Sequence, residues 1–406
     1  MPDSMGMNIT HHIQTSLILG SVLVASASPV WAEEVGVSSV ELIPFPEDST
    51  SSVNASFSGD GQLRLLYDFG GQDSLIYSYV GGEWVLIRRE VISVLPGLTP
   101  IDASADGSRI VLSDFVRVDV VDGPTVITLP REWTYTDQDG RVQRVYGTVS
   151  GGGVSGNGEV VTLSGRQTSS NVSDSLIWAD GGELINISDG LPRGEISYSA
   201  GMPDEVGAVV AFGSTFHGSI NNIRSLWSSH GDAWVWEDGA AQRVEHLDTG
   251  YDVLMHLRAI SGNGEAVVGT AQGIWRAPGA FDEPLTMQSQ GLVRGPELSW
   301  IWTQASGTQQ ITSPQFSEMT VVSINHDASI VLGWGELVDG TYDSFLWFRN
   351  GKSLLLSELF HTLNISIDAD SYSFNQISDD GTRLMGHASV NDVRHAIIVT
   401  IPDLTP

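Results

Sequence analysis

Short apolar runs rich in Val, Ile and Leu recur along the chain, each placed just behind a tight-turn signature. "RIVLS" from Arg109 follows "ASADG", "VVTLS" from Val160 follows "VSGNGE", "AVVGT" from Ala266 follows "ISGNGE", and "RLMGH" from Arg383 starts directly behind "ISDDGT". Asp-Gly and Asn-Gly accept the positive φ angles of a short hairpin, and a β-branched apolar run bounded by such turns reads as a buried strand. Each copy therefore predicts a β-hairpin.

The hairpins form a repeat. With the serines at 58, 104, 155, 199, 261, 323 and 378 as register marks, successive copies lie 44 to 62 residues apart. Two copies depart most from the pattern: "YSAGMPDEVGAVVAFGS" from Tyr198 has a longer turn, and "SINHDASIVLGWG" from Ser323 has no Gly in it. A second signature follows: "SLIW" ending at Trp178, "AWVW" at Trp236, "SWIW" at Trp302 and "SFLW" at Trp347. Each predicts a third strand whose Trp packs in the core. Trp234 and Trp300 stand two residues earlier and share that face.

Four antiparallel strands per repeat make a blade, so the expected fold is an all-β β-propeller of about seven blades, within a range of six to eight. The last repeat stops after three strands, whereas "GVSSVELIPF" from Gly36 is a strand with no turn before it. Because an unpaired edge would be sticky, residues 36–45 are expected to complete the last blade beside residues 395–401. The one helical expectation is a single turn late in residues 353–363, after a strand.

Charge then narrows the partners. The chain of 406 residues has 19 Lys plus Arg against 49 Asp plus Glu, a net charge of -30, with Lys352 the single lysine. Such a surface excludes nucleic acid and anionic lipid and suits a soluble monomer. The absence of cysteine excludes disulfides, Cys-ligated zinc and thiol nucleophiles. Residues 15–32 are an apolar run ending in small residues at Val30 and Ala32, although residues 1–14 hold no Lys or Arg. Residues 1–32 are therefore expected to be a signal peptide and 33–406 a single propeller domain, secreted, periplasmic or at the cell surface. No later run is long enough for the mature chain to enter a membrane.

With both signatures in view, the repeats resemble the bacterial extracellular HAF repeats, a Val-Ser-Ala-Asp-Gly hairpin followed by an aromatic strand, a Gly turn and a strand running to Leu-Pro-Gly. "VSGNGEVV" and "SLIWADGGELINISDGLPRG", between Val154 and Gly194, follow that order. The first repeat, "SFSGDGQLRLLYDFGGQDSLIYSYVGGEW", is similar to those of TolB-type propellers. Either resemblance implies exported all-β repeats, and neither carries over a catalytic residue.

The repeat also reassigns several motifs. Gly151 to Gly156 satisfies G-x-G-x-x-G, but a turn and strand follow where a phosphate site needs a helix. Ser155 sits near a G-x-S-x-G pattern, yet a serine recurs in this slot, which points to hairpin stabilisation. "DQDG" from Asp137 reads as a hairpin turn, and "DADS" from Asp368 offers paired carboxylates for calcium. The histidines 217, 230, 246 and 256 lack zinc-ligand spacing.

The long segments starting at Phe212 and Leu285 break the repeat, and such loops often build a ligand face. Candidate ligand-binding residues are therefore His217, Arg224, Trp227, His230 and Trp334, the tryptophans as surfaces for sugar rings. The functional expectation is a non-catalytic exported propeller that binds a protein or glycan, with no cofactor and no metal. The alternatives are a propeller hydrolase or lyase acting on extracellular polysaccharide, and a structural passenger of a surface protein.

Overall fold

A computed structural model describes most of residues 38–404, the longest stretches outside it being 87–98, 217–230 and 277–291. Its strands form seven antiparallel sheets, and the chain is a β-propeller. In chain order the first strands of the seven blades are Val53–Phe57, Thr99–Ala103, Val142–Val154, the split pair Ile196–Tyr198 and Met202–Pro203, Asp252–Ile260, Phe316–Ile324 and Ser371–Ile377. Each of the first six leads into a second, third and fourth strand laid side by side, and the seventh into a second and third; the first strand lies on the inner side and the fourth on the outer.

The third blade carries an additional strand, Glu132–Thr136, paired with the start of Val142–Val154. This is the hairpin expected around "DQDG", although residues 137–140 themselves lie outside the described set. The helical expectation holds in place though not in length: Ser353–Leu355 is a strand, and it runs directly into the helix Leu356–Thr362, which makes about two turns instead of one.

Closure is as the edge argument predicts. Ser39–Pro44 pairs antiparallel with Val393–Thr400, from Ser39 opposite Thr400 to Pro44 opposite His395, and so supplies the fourth strand of the seventh blade. Ile43 and Phe45 then bury against Phe57 of the first blade and Met385, Ala396 and Ile398 of the seventh. One chain end thus joins the last blade to the first.

The core lies between blades. Within the strand Val160–Gln167, Val160 packs toward Tyr198, Phe212 and Trp234 of the fourth blade, whereas Val161 and Leu163 pack toward Val111, Val118 and Val120 of the second. Both faces of a blade are covered, so a second strand reads as an unbroken apolar run instead of an alternating one. Trp178, Trp302 and Trp347 are buried between blades as predicted, and Trp236 is partly so. Trp234 and Trp300 are buried in the same clusters as their neighbours two residues on.

The recurring serine closes the first hairpin of the second, third, fifth and seventh blades. Ser261 Oγ accepts the Ala266 N–H at 3.0 Å and donates to Asn263 Oδ1 at 2.8 Å, which in turn accepts the Glu265 N–H at 3.0 Å. Ser155 with Asn157 and Ser378 with Asp380 repeat the arrangement. Gly158, Gly264 and Gly381 take the left-handed position that ends the turn. Because Ser261 is fully buried, Ser261→Ala strands the Ala266 N–H and is expected to cost about 1–3 kcal/mol. Urea unfolding of the variant checks this, and an unchanged midpoint would count against the serine as a turn lock.

Inner strands of neighbouring blades are also tied side chain to backbone. Ser323 Oγ of the sixth blade accepts the Ile377 N–H of the seventh at 3.3 Å. At the corresponding place in the second blade stands Asp102, whose Oδ2 accepts the Val154 N–H of the third at 3.0 Å. Burial pushes the Asp102 carboxyl up to about 6, against the lowering effect of hydrogen bonds from Val154 and Ala103.

The folded state therefore holds this proton more tightly than the unfolded chain, whose ordinary value is 3.8. The resulting stability is full below pH 3.8 and is lost as pH rises from there through about 6. The expected change is on the order of 2–3 kcal/mol. Asp102→Asn is expected to flatten that slope in denaturation series between pH 4 and 7; equal slopes in both proteins would refute the assignment.

Candidate functional site

Six first hairpins share one frame, set by the backbone N–H of the leading turn residue donating to the carbonyl five residues on. These residues are Ser104, Ser155, Asp204, Ser261, Asn325 and Ser378. The frame corrects the serine register at two blades. In the fourth the leading residue is Asp204, not Ser199, and in the sixth it is Asn325, not Ser323. Gly207 and Ala328 take the left-handed position there, with φ of 75° and 60°. Asn325 does the work of the serine, its Oδ1 accepting the Ile330 N–H at 2.9 Å and its Nδ2 donating to Asp327 at 2.8 Å. Hydrogen bonds from Ser329 and Asn325 hold the Asp327 carboxyl below its usual range, outweighing burial, which acts the other way.

The turns are linked across blades. Asn157 N–H donates to the Glu205 carbonyl at 2.9 Å, Glu205 N–H to Gly262 at 3.0 Å, Asn263 N–H to His326 at 3.1 Å, and His326 N–H to Asp379 at 3.2 Å. An arc of main-chain bonds thus runs through five consecutive blades at one end of the ring.

The position after the leading residue lies on this arc. It is Gly156 in the third blade and Gly262 in the fifth, but Glu205, His326 and Asp379 in the fourth, sixth and seventh. The ligand atoms of these three all lie within 4.8 Å of one another, and theirs is the one such cluster among the described residues. His326 Nδ1 meets Glu205 Oε2 at 2.9 Å, with both side chains a little under half exposed. Behind them burial pushes the Asp204 carboxyl above its ordinary range, against hydrogen bonds from the Val209, Gly207 and Ala208 N–H groups.

One imidazole and two carboxylates from separate blades form a donor set suited to a divalent transition metal, whose ligand atoms sit about 2.0–2.3 Å from it. Donor separations below 4.8 Å allow a cation between them. They also place Glu205 and Asp379 closer than the roughly 5–9.5 Å that glycosidases working by two carboxyl groups alone leave between them. The expectation that the chain is not an enzyme is corrected by this cluster, an imidazole and two carboxylates that could hold a metal ion at one partly exposed place.

Of the residues singled out from sequence, His217, Arg224, Trp227 and His230 lie outside the described set. Trp334 is exposed, with its ring centroid 6.4 Å from that of Tyr342, whose hydroxyl lies 3.5 Å from Glu336 Oε2. It stands in the strand Ile330–Leu337, away from the turn that carries His326. His246 bonds Asp232 at 2.6 Å. The paired acids from Asp368 do not join a metal cluster among the described residues, and Asp370 instead accepts the Asn391 N–H at 2.7 Å. The G-x-G-x-x-G run enters a strand and turn with no helix, as expected.

Comparison with protein-family models and with curated proteins finds no match. Among solved structures, an oligogalacturonate lyase from Vibrio parahaemolyticus is similar over 92% of this chain and 99% of its own, at 11% identity and a TM-score of 0.50. An oligogalacturonate lyase in complex with manganese covers 90% and 97%, at 13% identity and a TM-score of 0.49. TolB from Agrobacterium tumefaciens covers 63% and 79%, at 12% identity and a TM-score of 0.35. These likenesses bear on fold alone: the class is the β-propeller. The HAF resemblance gains no support beyond it.

Proposed function

We propose that the chain is an exported propeller enzyme, a lyase or hydrolase acting on extracellular polysaccharide, with a divalent cation held by Glu205, His326 and Asp379. The observation that carries this reading is the meeting of those three side chains within 4.8 Å. The fold is one on which a solved lyase for acidic oligosaccharides is built. No helix among the described residues is long and apolar enough to cross a membrane.

A cation in this place supplies positive charge for an anionic sugar group or a developing oxyanion. The protein's own part is to hold three donors on separate hairpins that the main-chain arc fixes relative to one another. With a net charge of -30 the protein repels an anionic polymer, and a bound cation would offset that repulsion at the site.

The test is a panel of neutral and uronate-containing polysaccharides assayed after chelation and after return of Mn²⁺, Ca²⁺ or Zn²⁺. Release of unsaturated ends marks a lyase, and release of saturated reducing ends a hydrolase. Turnover that survives chelation, or absence of turnover on every polymer with all three cations, would overturn the reading.

A further inference from the structure

The cluster needs more than its three ligands, because Glu205 and His326 do not stand over their own hairpins. Each leans across the turn of the preceding blade, and in both cases the residue beneath is a glycine. A Cβ built on Gly262 lands on His326 Nδ1 and 3.1 Å from its Cγ; one built on Gly156 lies 2.8 Å from Glu205 Cγ and 3.2 Å from the Glu205 carbonyl oxygen. Neither glycine is among those with positive φ, which is the usual reason for glycine in a hairpin. The left-handed position of the same turns is filled separately, by Gly158 and Gly264.

We infer that Gly156 and Gly262 are positioning residues of the cation site, kept free of side chains so that Glu205 and His326 reach one another across two blade boundaries. This rests on the reading of the cluster as a cation site. Glycine and ligand alternate along the arc: Gly156, Glu205, Gly262, His326, and then Asp379 beside the last of these. Glu205 and His326 are therefore each aimed by the blade before them, and the site exists only in the assembled ring.

The experiment compares Mn²⁺ affinity by calorimetry, and thermal midpoint, for the wild-type chain, Gly262→Ala, Gly156→Ala, His326→Ala and the double variant Gly262→Ala/His326→Ala. Gly262→Ala is expected to weaken Mn²⁺ binding by about 10–100-fold, the range seen when the support of a metal ligand is disturbed. Its backbone accepts alanine, so the midpoint is expected to stay near that of wild type. In the background of His326→Ala the same substitution is expected to add nothing, because the ring it displaces is gone.

Wild-type affinity in Gly262→Ala, or losses that simply add in the double variant, would overturn the inference. If the wild-type chain takes up no Mn²⁺, Ca²⁺ or Zn²⁺, the functional reading falls instead. The seat is then judged by the ¹⁵N shifts of the His326 imidazole, which Gly262→Ala is expected to move; unmoved shifts would overturn it.

Discussion

His326→Ala is expected to lower affinity for divalent cations by on the order of a hundredfold or more, since loss of a ligand exceeds the loss of a group that only supports one. Polysaccharide cleavage should fall at least in proportion. Glu205→Gln and Asp379→Asn keep side-chain size while removing charge, and each is expected to act in the same direction.

The three side chains sit on hairpins whose closure depends on other groups: Asp204, Asn325 and Ser378 lock the turns, and the arc bonds use main-chain atoms. Stability is therefore expected to move by less than about 1 kcal/mol in the glutamine and asparagine variants. Glu265→Gln serves as control, being an exposed acid of the fifth-blade turn that lies outside the cluster. If calorimetry shows the same affinity in all five proteins, cation and cluster are unconnected.

A chain shortened to begin after Phe45 is expected to fail as a monomer. It loses the outer strand of the seventh blade, six residue pairs of register with Val393–Thr400, and the burial of Ile43 and Phe45. It also removes the hydrogen bond that the Trp84 indole N–H donates to the Pro44 carbonyl at 2.7 Å. Two large apolar side chains lost from a packed site remove roughly 4–8 kcal/mol, comparable with the whole stability of a folded domain. The exposed edge then favours pairing between chains. Size-exclusion chromatography and circular dichroism against a chain beginning at Glu33 give the measurement. A shortened protein that elutes as a monomer with an unchanged thermal midpoint would refute the role of this strand. Ile43→Ala, a milder change at a site 3% exposed, is expected to cost about 2–4 kcal/mol.

The hairpins were legible because their chemistry is local. An Asn-Gly or Asp-Gly turn with a serine two residues before the Asn or Asp specifies its own hydrogen bonds, and those recur wherever the motif does. Register failed where the local chemistry was substituted. In the fourth blade Asp204 replaces the serine and Val206 the Asn; in the sixth Asn325 and Ala328 replace serine and glycine. Counting from Ser199 and Ser323 hid the fact that Glu205 and His326 occupy the same slot as Asp379. A search for the residue entering the left-handed conformation would have aligned them, but Ala328 is a rare occupant of that conformation and gives little signal.

The ligand set was illegible for a different reason. Glu205, His326 and Asp379 are 121 and 53 residues apart in the chain, and no spacing rule for metal ligands extends over such intervals. Only the ring brings hairpin ends from different blades together, through bonds between main-chain groups that carry no sequence signature. The long segments beginning at Phe212 and Leu285 stand out in the sequence because they break the repeat, whereas the converging residues sit within it.

By itself the sequence determined the hairpin chemistry, the strand order, the two-sided burial of each blade and the partner of the N-terminal strand, all of which follow from turn geometry and from the need to cover apolar faces and edges. The tertiary structure alone decided that one turn position, filled by glycine in two of the five linked blades, becomes a meeting point in the other three. Closing a ring converts a repeated place in the chain into neighbouring places in space, and proximity of that kind is set by the curvature of the whole assembly.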